Sequence, residues 1–121
     1  TALPTTSLAD QASNLPVTFS LNTSTLRGQN LSVPEQIEVA ASAGYDGIEP
    51  WIRDLRSYIQ GGGKVADLKK QLDDSGLSVS SAIGFAQWIV DDEAKRKLGL
   101  DEACRDMDLV RSIGGHHIAE G

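Results

Sequence analysis

The chain predicts an α/β fold built on a parallel βα repeat, and three observations carry that prediction. Four short segments of alternating or apolar character recur along it. Their equivalent points, Phe19, Ile48, Val79 and Ile118, lie 29, 31 and 39 residues apart. That is the length of a strand-plus-helix unit rather than of a hairpin. The gaps carry apolar residues at helical spacing, and the three helices so predicted end at Gly44, Gly76 and Gly114. Glycine closes a helix by taking the left-handed conformation.

Residues 1–16 are rich in Thr, Ser, Ala and Leu, hold two prolines and show no period, which predicts an extended lead-in or linker. Such a segment fits either a cytoplasmic chain or one exported after removal of a signal peptide. Residues 17–121 form the domain. Its first strand is Val17 to Asn22, which alternates apolar and polar. The first helix opens at Ser32, where Glu35 three residues on completes a capping box and Pro34 sits in the first turn. Val33, Ile37, Ala40 and Ala41 share its inner face. Gly47 to Ile52 is the second strand. A loop from Arg53 to Lys64 leads to a helix with Val65, Leu68 and Leu72 on one face, and Leu77 is placed to pack on Leu72 beyond Gly76.

Ser78 to Phe85 is the third strand, with Val79, Ile83 and Phe85 opposite Ser80, Ala82 and Gly84. Asp91-Asp92-Glu93 followed by Lys95-Arg96-Lys97 predicts a short solvated helix. The third main helix begins near Asp101 and carries Ala103, Met107 and Val110. His116 to Ala119 is the fourth strand.

Composition narrows the function classes. Forty per cent hydrophobic and 23% charged residues exclude wholesale disorder. No apolar run approaches the roughly 20 residues of a membrane-spanning helix. Eleven basic against 17 acidic residues give a net charge of −6, which disfavours nucleic acid and anionic membranes as partners. The single cysteine, Cys104, excludes an internal disulfide and a cysteine-based zinc site, and its helical position predicts a small buried group. Gly61-Gly62-Gly63-Lys64 lacks the spacing and hydroxyl of a phosphate loop and predicts a flexible connection.

Two architectures accommodate four βα units: a doubly wound, flavodoxin-like sheet, or half of an eight-unit barrel. A doubly wound sheet buries both faces of its central strands. Strands one and three each have one small or polar face, which favours the barrel. The links that follow the strands are longer than those that precede them. Loops therefore gather at the carboxyl ends of the strands, the face that holds the active site in such folds.

Ala43-Gly44-Tyr45-Asp46-Gly47-Ile48-Glu49-Pro50-Trp51 resembles the second-strand entry of the xylose-isomerase-like sugar phosphate isomerase/epimerase family. Ser75-Gly76-Leu77-Ser78-Val79 resembles its third-strand entry, and Leu109 to Ile118 its fourth. The resemblance spans residues 17–121 and implies the amino-terminal half of a TIM (βα)8 barrel. It implies a sugar or sugar-derivative substrate, proton transfer between neighbouring carbons by carboxylates, and a divalent metal (Mn, Mg, Co or Zn) in the complete barrel. No metal site is expected from this chain alone, because its two histidines are adjacent and diverge. The expected partner is the missing barrel half or a second copy of the chain.

Glu49 is the expected catalytic carboxylate, since its parity opposes Ile48 and it precedes a long loop. Asn22, Trp51, Trp88 and His117 are the expected substrate-binding residues, the tryptophans by stacking on sugar C–H faces. Glu120 shares the outward parity of Ile118 and joins the site only if its strand bends. The reading from another class is a non-catalytic flavodoxin-like binding or signalling domain, with Thr23-Ser24-Thr25 binding phosphate if a helix began at once.

Overall fold

The computed structural model describes residues 17–121; the expected lead-in over residues 1–16 lies outside the described residues. β1 (Ser20–Asn22) runs into a 3₁₀ turn (Thr23–Gln29) and then α1 (Val33–Ser42). β2 (Gly47–Glu49) is followed by α2 (Ile52–Gln60) and α3 (Val65–Ser75). β3 (Ser78–Val79) and β4 (Ile83–Gly84) precede α4 (Glu93–Ser112), and β5 (Ala119–Glu120) comes last.

All pairings are parallel and follow chain order. β1 pairs with β2, with Asn22 opposite Glu49, and β2 with β3, with Ile48 opposite Val79. β4 pairs with β5, with Ile83 opposite Ala119, and a bridge joins Trp51 to Ile83. β3 and β4 are thus two ends of one barrel strand, and β5 is the fourth. A flavodoxin-like sheet reverses its order between the first and third strands. Here β2 lies between β1 and β3, which overturns the flavodoxin-like alternative. The result is four consecutive strands of a (βα)8 barrel with helices on one side.

The core lies between strands and helices. Ile48 is 1% exposed and packs among Val33, Ile37, Leu55, Leu68, Val79 and Val110. The capping box forms as expected: Ser32 Oγ accepts from the Glu35 N–H, and the Glu35 carboxylate accepts from the Ser32 N–H. Gly44, Gly76 and Gly114 have φ of 85°, 69° and 94°, and Leu77 N donates to Leu72 O. Arg56 and the 1%-exposed Asp106 form an ion pair that ties α2 to α4. No helix among the described residues is long and apolar enough to cross a membrane.

Several expected boundaries move. Val17 and Phe19 precede the first ladder pair and are exposed, so the strand is shorter than its alternation predicts. β2 stops before Pro50, which has no N–H to continue a ladder. The expected loop over Arg53–Lys64 is mostly α2, whose Ile52 and Leu55 are buried. The short acidic helix and the helix expected from Asp101 are one element, capped by Asp92 through the Lys95 N–H. Gly99 lets this helix press on the Gln87 carbonyl, where a Cβ would collide. Its buried stripe is Gly99, Asp106 and Val110, so Met107 and Cys104 are exposed. The fourth strand begins at Ala119, after both histidines.

The third barrel strand holds one extra residue. The N–H groups of Ser78, Ser80 and Ile83 donate to strand two, at Asp46, Ile48 and Pro50, whereas that of Ala82 donates to His117 in the fourth strand. A regular strand would send Ala82, not Ile83, to Pro50. Ser81 is therefore a β-bulge, and every later side chain changes face. Ala82, at 0% exposure, joins the helix-side core instead of the inner face. Ile83 and Phe85, expected beneath the helices, turn to the inner face.

Candidate functional site

The inner face is built from residues that alternate with the core. At its base, Gly47 lies between Ser20 and Ser78; a Cβ on Gly47 would meet Ser20 Oγ at 2.5 Å and Ser78 Oγ at 3.2 Å. One layer higher, toward the carboxyl ends, stand Asn22 and Glu49. Asn22 Nδ2 donates to Glu49 Oε1 at 2.6 Å. Asn22 Oδ1 accepts from the Ser24 N–H at 2.9 Å and from the Trp51 indole N–H at 3.2 Å. Two donors on one end of the amide leave its NH₂ to face the carboxylate, so the partners fix the orientation of Asn22. Glu49 Oε2 has no hydrogen-bond partner among the described residues, so one oxygen is anchored and the other is open.

Trp51 forms the next layer. Its ring meets Phe85 with centroids 5.2 Å apart at 47°. The guanidinium of Arg27, from the 3₁₀ turn, lies 4.6 Å from the Trp51 ring centroid, and that of Arg53 5.4 Å. An arginine over an indole is held by the ring's negative face and screens it from water.

The structure thus brings together three of the five expected site residues: Asn22, Glu49 and Trp51. Trp88 and His117 lie elsewhere. The Trp88 backbone sits against Gly99 of α4, and the ring that meets Trp51 is Phe85. His117 is exposed before β5, and with Met107, Arg111 and His116 it lines a small separate cavity of about 90 Å³. Its carbonyl accepts from Ala82 N. Glu120 pairs with Gly84 on the outer side, where its Oε2 accepts from the Ala86 N–H at 2.8 Å. The strand does not bend to bring it inward.

Sequence reasoning missed Phe85 and Arg27. Ala82, Gly84 and Ala86, small at alternate positions, mark a tightly covered face and leave Ile83 and Phe85 for the other. Arg27 gives no such signal, because the seven-residue 3₁₀ turn that presents it has no apolar period. This turn starts directly after β1, with Asn22 as its N-cap, where a long open loop was expected.

A divalent cation wants several converging oxygen or nitrogen ligands. Among the described residues no three His, Cys, Asp or Glu side chains converge in that way. The site residues present do not by themselves fit a metal.

Four parallel strands in chain order, with a polar and aromatic group at their carboxyl ends, define one half of a β/α barrel with its loop face intact. The chain belongs to the xylose isomerase-like TIM barrel family, whose sequence profile matches residues 37–120. None of the curated proteins compared matches it. Among solved structures it is similar to the protein IolI with a bound zinc atom (TM-score 0.74, 17% identity, 84% of this chain and 36% of that one). It is similar to a xylose isomerase-like TIM barrel/4-hydroxyphenylpyruvate dioxygenase fusion protein (0.69, 26%, 82% and 15%). It is also similar to the 3-keto-D-glucoside 4-epimerase YcjR of E. coli in its apo form (0.58, 25%, 72% and 32%). The chain therefore spans a minor part of the length of each of these structures.

Proposed function

We propose that the barrel to which this chain contributes moves a proton between neighbouring carbons of a sugar or sugar derivative, as an isomerase, an epimerase or a related lyase. The observation that carries the reading is the divided role of the Glu49 carboxylate. Oε1 is held by Asn22, which is itself fixed by Ser24 and Trp51. Oε2 faces the inner side without a partner. A carboxylate so held has lost its rotational freedom and keeps one lone-pair-bearing oxygen for a substrate C–H or O–H. Trp51 and Phe85 form the apolar wall that a sugar C–H face stacks on and that excludes water from the transfer. The epimerase named among the similar structures supports this class of chemistry.

In this reading Glu49 Oε2 removes or returns the proton, while the charge-assisted bond from Asn22 keeps the carboxylate aimed. Trp88 and His117 contribute at most from the rim. A divalent metal, where the complete barrel binds one, would draw its ligands from outside the described residues and would supply polarisation of a substrate oxygen.

The test is solvent exchange. The full-length protein is incubated in D₂O with ketohexoses, aldohexoses and keto-glucosides, and deuterium at carbon is read by NMR. Wild type should exchange at one position of one class, and Glu49→Gln should lower the rate by about 10²- to 10⁴-fold, the size of a general-base contribution. Undiminished exchange in Glu49→Gln, with near-ultraviolet dichroism showing an intact fold, would overturn the role of Glu49. No exchange by wild type with any class would overturn the reaction.

A further inference from the structure

Beside the Asn22–Glu49–Trp51 group lies a second cavity of about 270 Å³, between the 3₁₀ turn and the start of α2. Thr23, Arg27, Gln36, Trp51, Arg53 and Asp54 are among the residues of its wall. Two of them carry buried hydrogen-bonding atoms without a partner. Thr23 is 2% exposed and its Oγ1 is unpaired; Gln36 is 4% exposed and its Oε1 is unpaired. Unpaired buried polar atoms are rare in folded proteins, and two in one wall call for an occupant.

The chemistry of that occupant follows from the atoms. Gln36 Nε2 donates to the Leu31 carbonyl at 3.2 Å and approaches Asp54 Oδ2 at 3.5 Å. That leaves Oε1, which only accepts, in want of a donor such as a ligand hydroxyl. The Thr23 hydroxyl is free to donate. Two guanidinium groups face one carboxylate. Arg53 Nε lies 3.8 Å from Asp54 Oδ1, whereas no carboxylate of the described residues lies within ion-pair distance of Arg27. α2 also opens here with Trp51 as its N-cap and no side-chain cap bond, and Asp54 stands in its first turn. In a chain of net charge −6, this wall carries a local positive excess.

We propose that this cavity is a subsite for the anionic end, carboxylate or phosphate, of a small hydroxylated substrate whose remainder lies over Trp51 toward Glu49. The anion accepts from Arg27 and the Thr23 hydroxyl, and a neighbouring ligand hydroxyl donates to Gln36 Oε1. The cavity is smaller than the ~300–1,000 Å³ of sites that enclose a whole drug-sized ligand, so it takes an end group and not the whole molecule. The proposal rests on the reading of Glu49 as the reacting carboxylate only for the direction in which the substrate lies.

Calorimetric titration of the full-length protein with D-gluconate, D-glucose 6-phosphate and neutral D-glucose tests it. At least one anion should bind about tenfold or more tighter than glucose, the scale of one well-placed charged contact. Which anion binds tighter distinguishes carboxylate from phosphate. Arg27→Gln should abolish the difference, Arg27→Lys should restore part of it, and Gln36→Leu should weaken the favoured anion. Glucose binding as tightly as both anions, binding of none of the three, or unchanged anion affinity in a folded Arg27→Gln would each overturn the subsite. Titration reads binding without turnover. Anion selectivity that persists while deuterium exchange fails would overturn the reaction and leave the subsite standing; the converse would remove only the subsite.

Discussion

β1 and β2 keep a strict two-residue alternation, and the third barrel strand breaks it once. In the first pair, Leu21 and Ile48 face the helices while Asn22 and Glu49 face inward, and their register brings Asn22 to Glu49 without adjustment. In the third strand, Ser81 is unmatched in strand two, and the two halves of the strand present opposite faces. Below the bulge, Val79 is the core residue. Above it, Ala82 and Ala86 are buried and Phe85 is 54% exposed beside Trp51. The bulge, set against a regular strand of the same sequence, turns an aromatic ring from the helix layer to the site. The first region teaches that register positions a polar pair. The third teaches that a bulge re-aims a whole segment without changing its composition.

Inserting one alanine between Ala82 and Ile83 is the severest way to break this difference. With the bulge kept and one residue added above it, Ile83 and Phe85 would point at the helices, into space now occupied by Ala86 and the Glu120 carboxylate, which lies 2.9 Å from where a Gly84 Cβ would be. Overpacking and loss of the Trp51–Phe85 contact should together cost more than about 4 kcal/mol, among the largest effects of a single-residue change. Urea denaturation monitored by tryptophan fluorescence should show it; wild-type stability with an unchanged spectrum would mean that the strand absorbs the added residue without turning Phe85.

A milder change sharpens the contrast between the two faces. Ile48→Ala empties a fully enclosed site and should cost about 2–5 kcal/mol. Asn22→Ala on the inner face removes hydrogen bonds at a part-buried site and should cost about 1 kcal/mol, the usual net worth of such a bond. Equal losses in paired denaturation curves would show that the inner face is packed as a core and not held open as a site.

The smallest effect lies outside both faces, at the cap of α1. Hydrogen bonds from the Ser32 backbone and hydroxyl lower the Glu35 pKa from its ordinary 4.5. A lowered folded-state value means that the cap stabilises above about pH 4.5 and loses this contribution as pH falls through the lowered value. Melting temperatures of wild type and Glu35→Gln should therefore differ slightly near pH 7 and converge near pH 3. A difference that persists in acid would separate the cap from the charge of Glu35.

What was legible in the sequence followed from periods and stops. The parallel βα order, the capping box at Ser32 and the glycine endings of three helices depend on local chemistry, and local chemistry is written in neighbouring residues. Glu49 and Asn22 were legible because parity holds between them and Ile48 and Leu21. Parity failed at Phe85 because a bulge is invisible to alternation. It failed for His117 because the fourth strand begins only after it. The extent of α2 was masked because Pro50-Trp51-Ile52 continues the apolar character of β2 into a helix. Arg27, Thr23 and Gln36 meet only through the 3₁₀ turn folding back on α2, a tertiary event with no sequence period.

The order of pairing also bears on how the chain is made. Each strand reaches only to the one before it, as Asn22–Glu49, Ile48–Val79 and Ile83–Ala119 show. Among the described strands, none waits for a partner synthesised much later. Contacts of short sequence separation close early and at low entropic cost, and domains form from the amino terminus while synthesis continues. The sheet can therefore grow by one edge at a time as the polypeptide leaves the ribosome, with each completed unit as the template for the next. On this view the Asn22–Glu49 clasp is set before the bulged strand has been translated, and Phe85 arrives at a Trp51 already waiting for it.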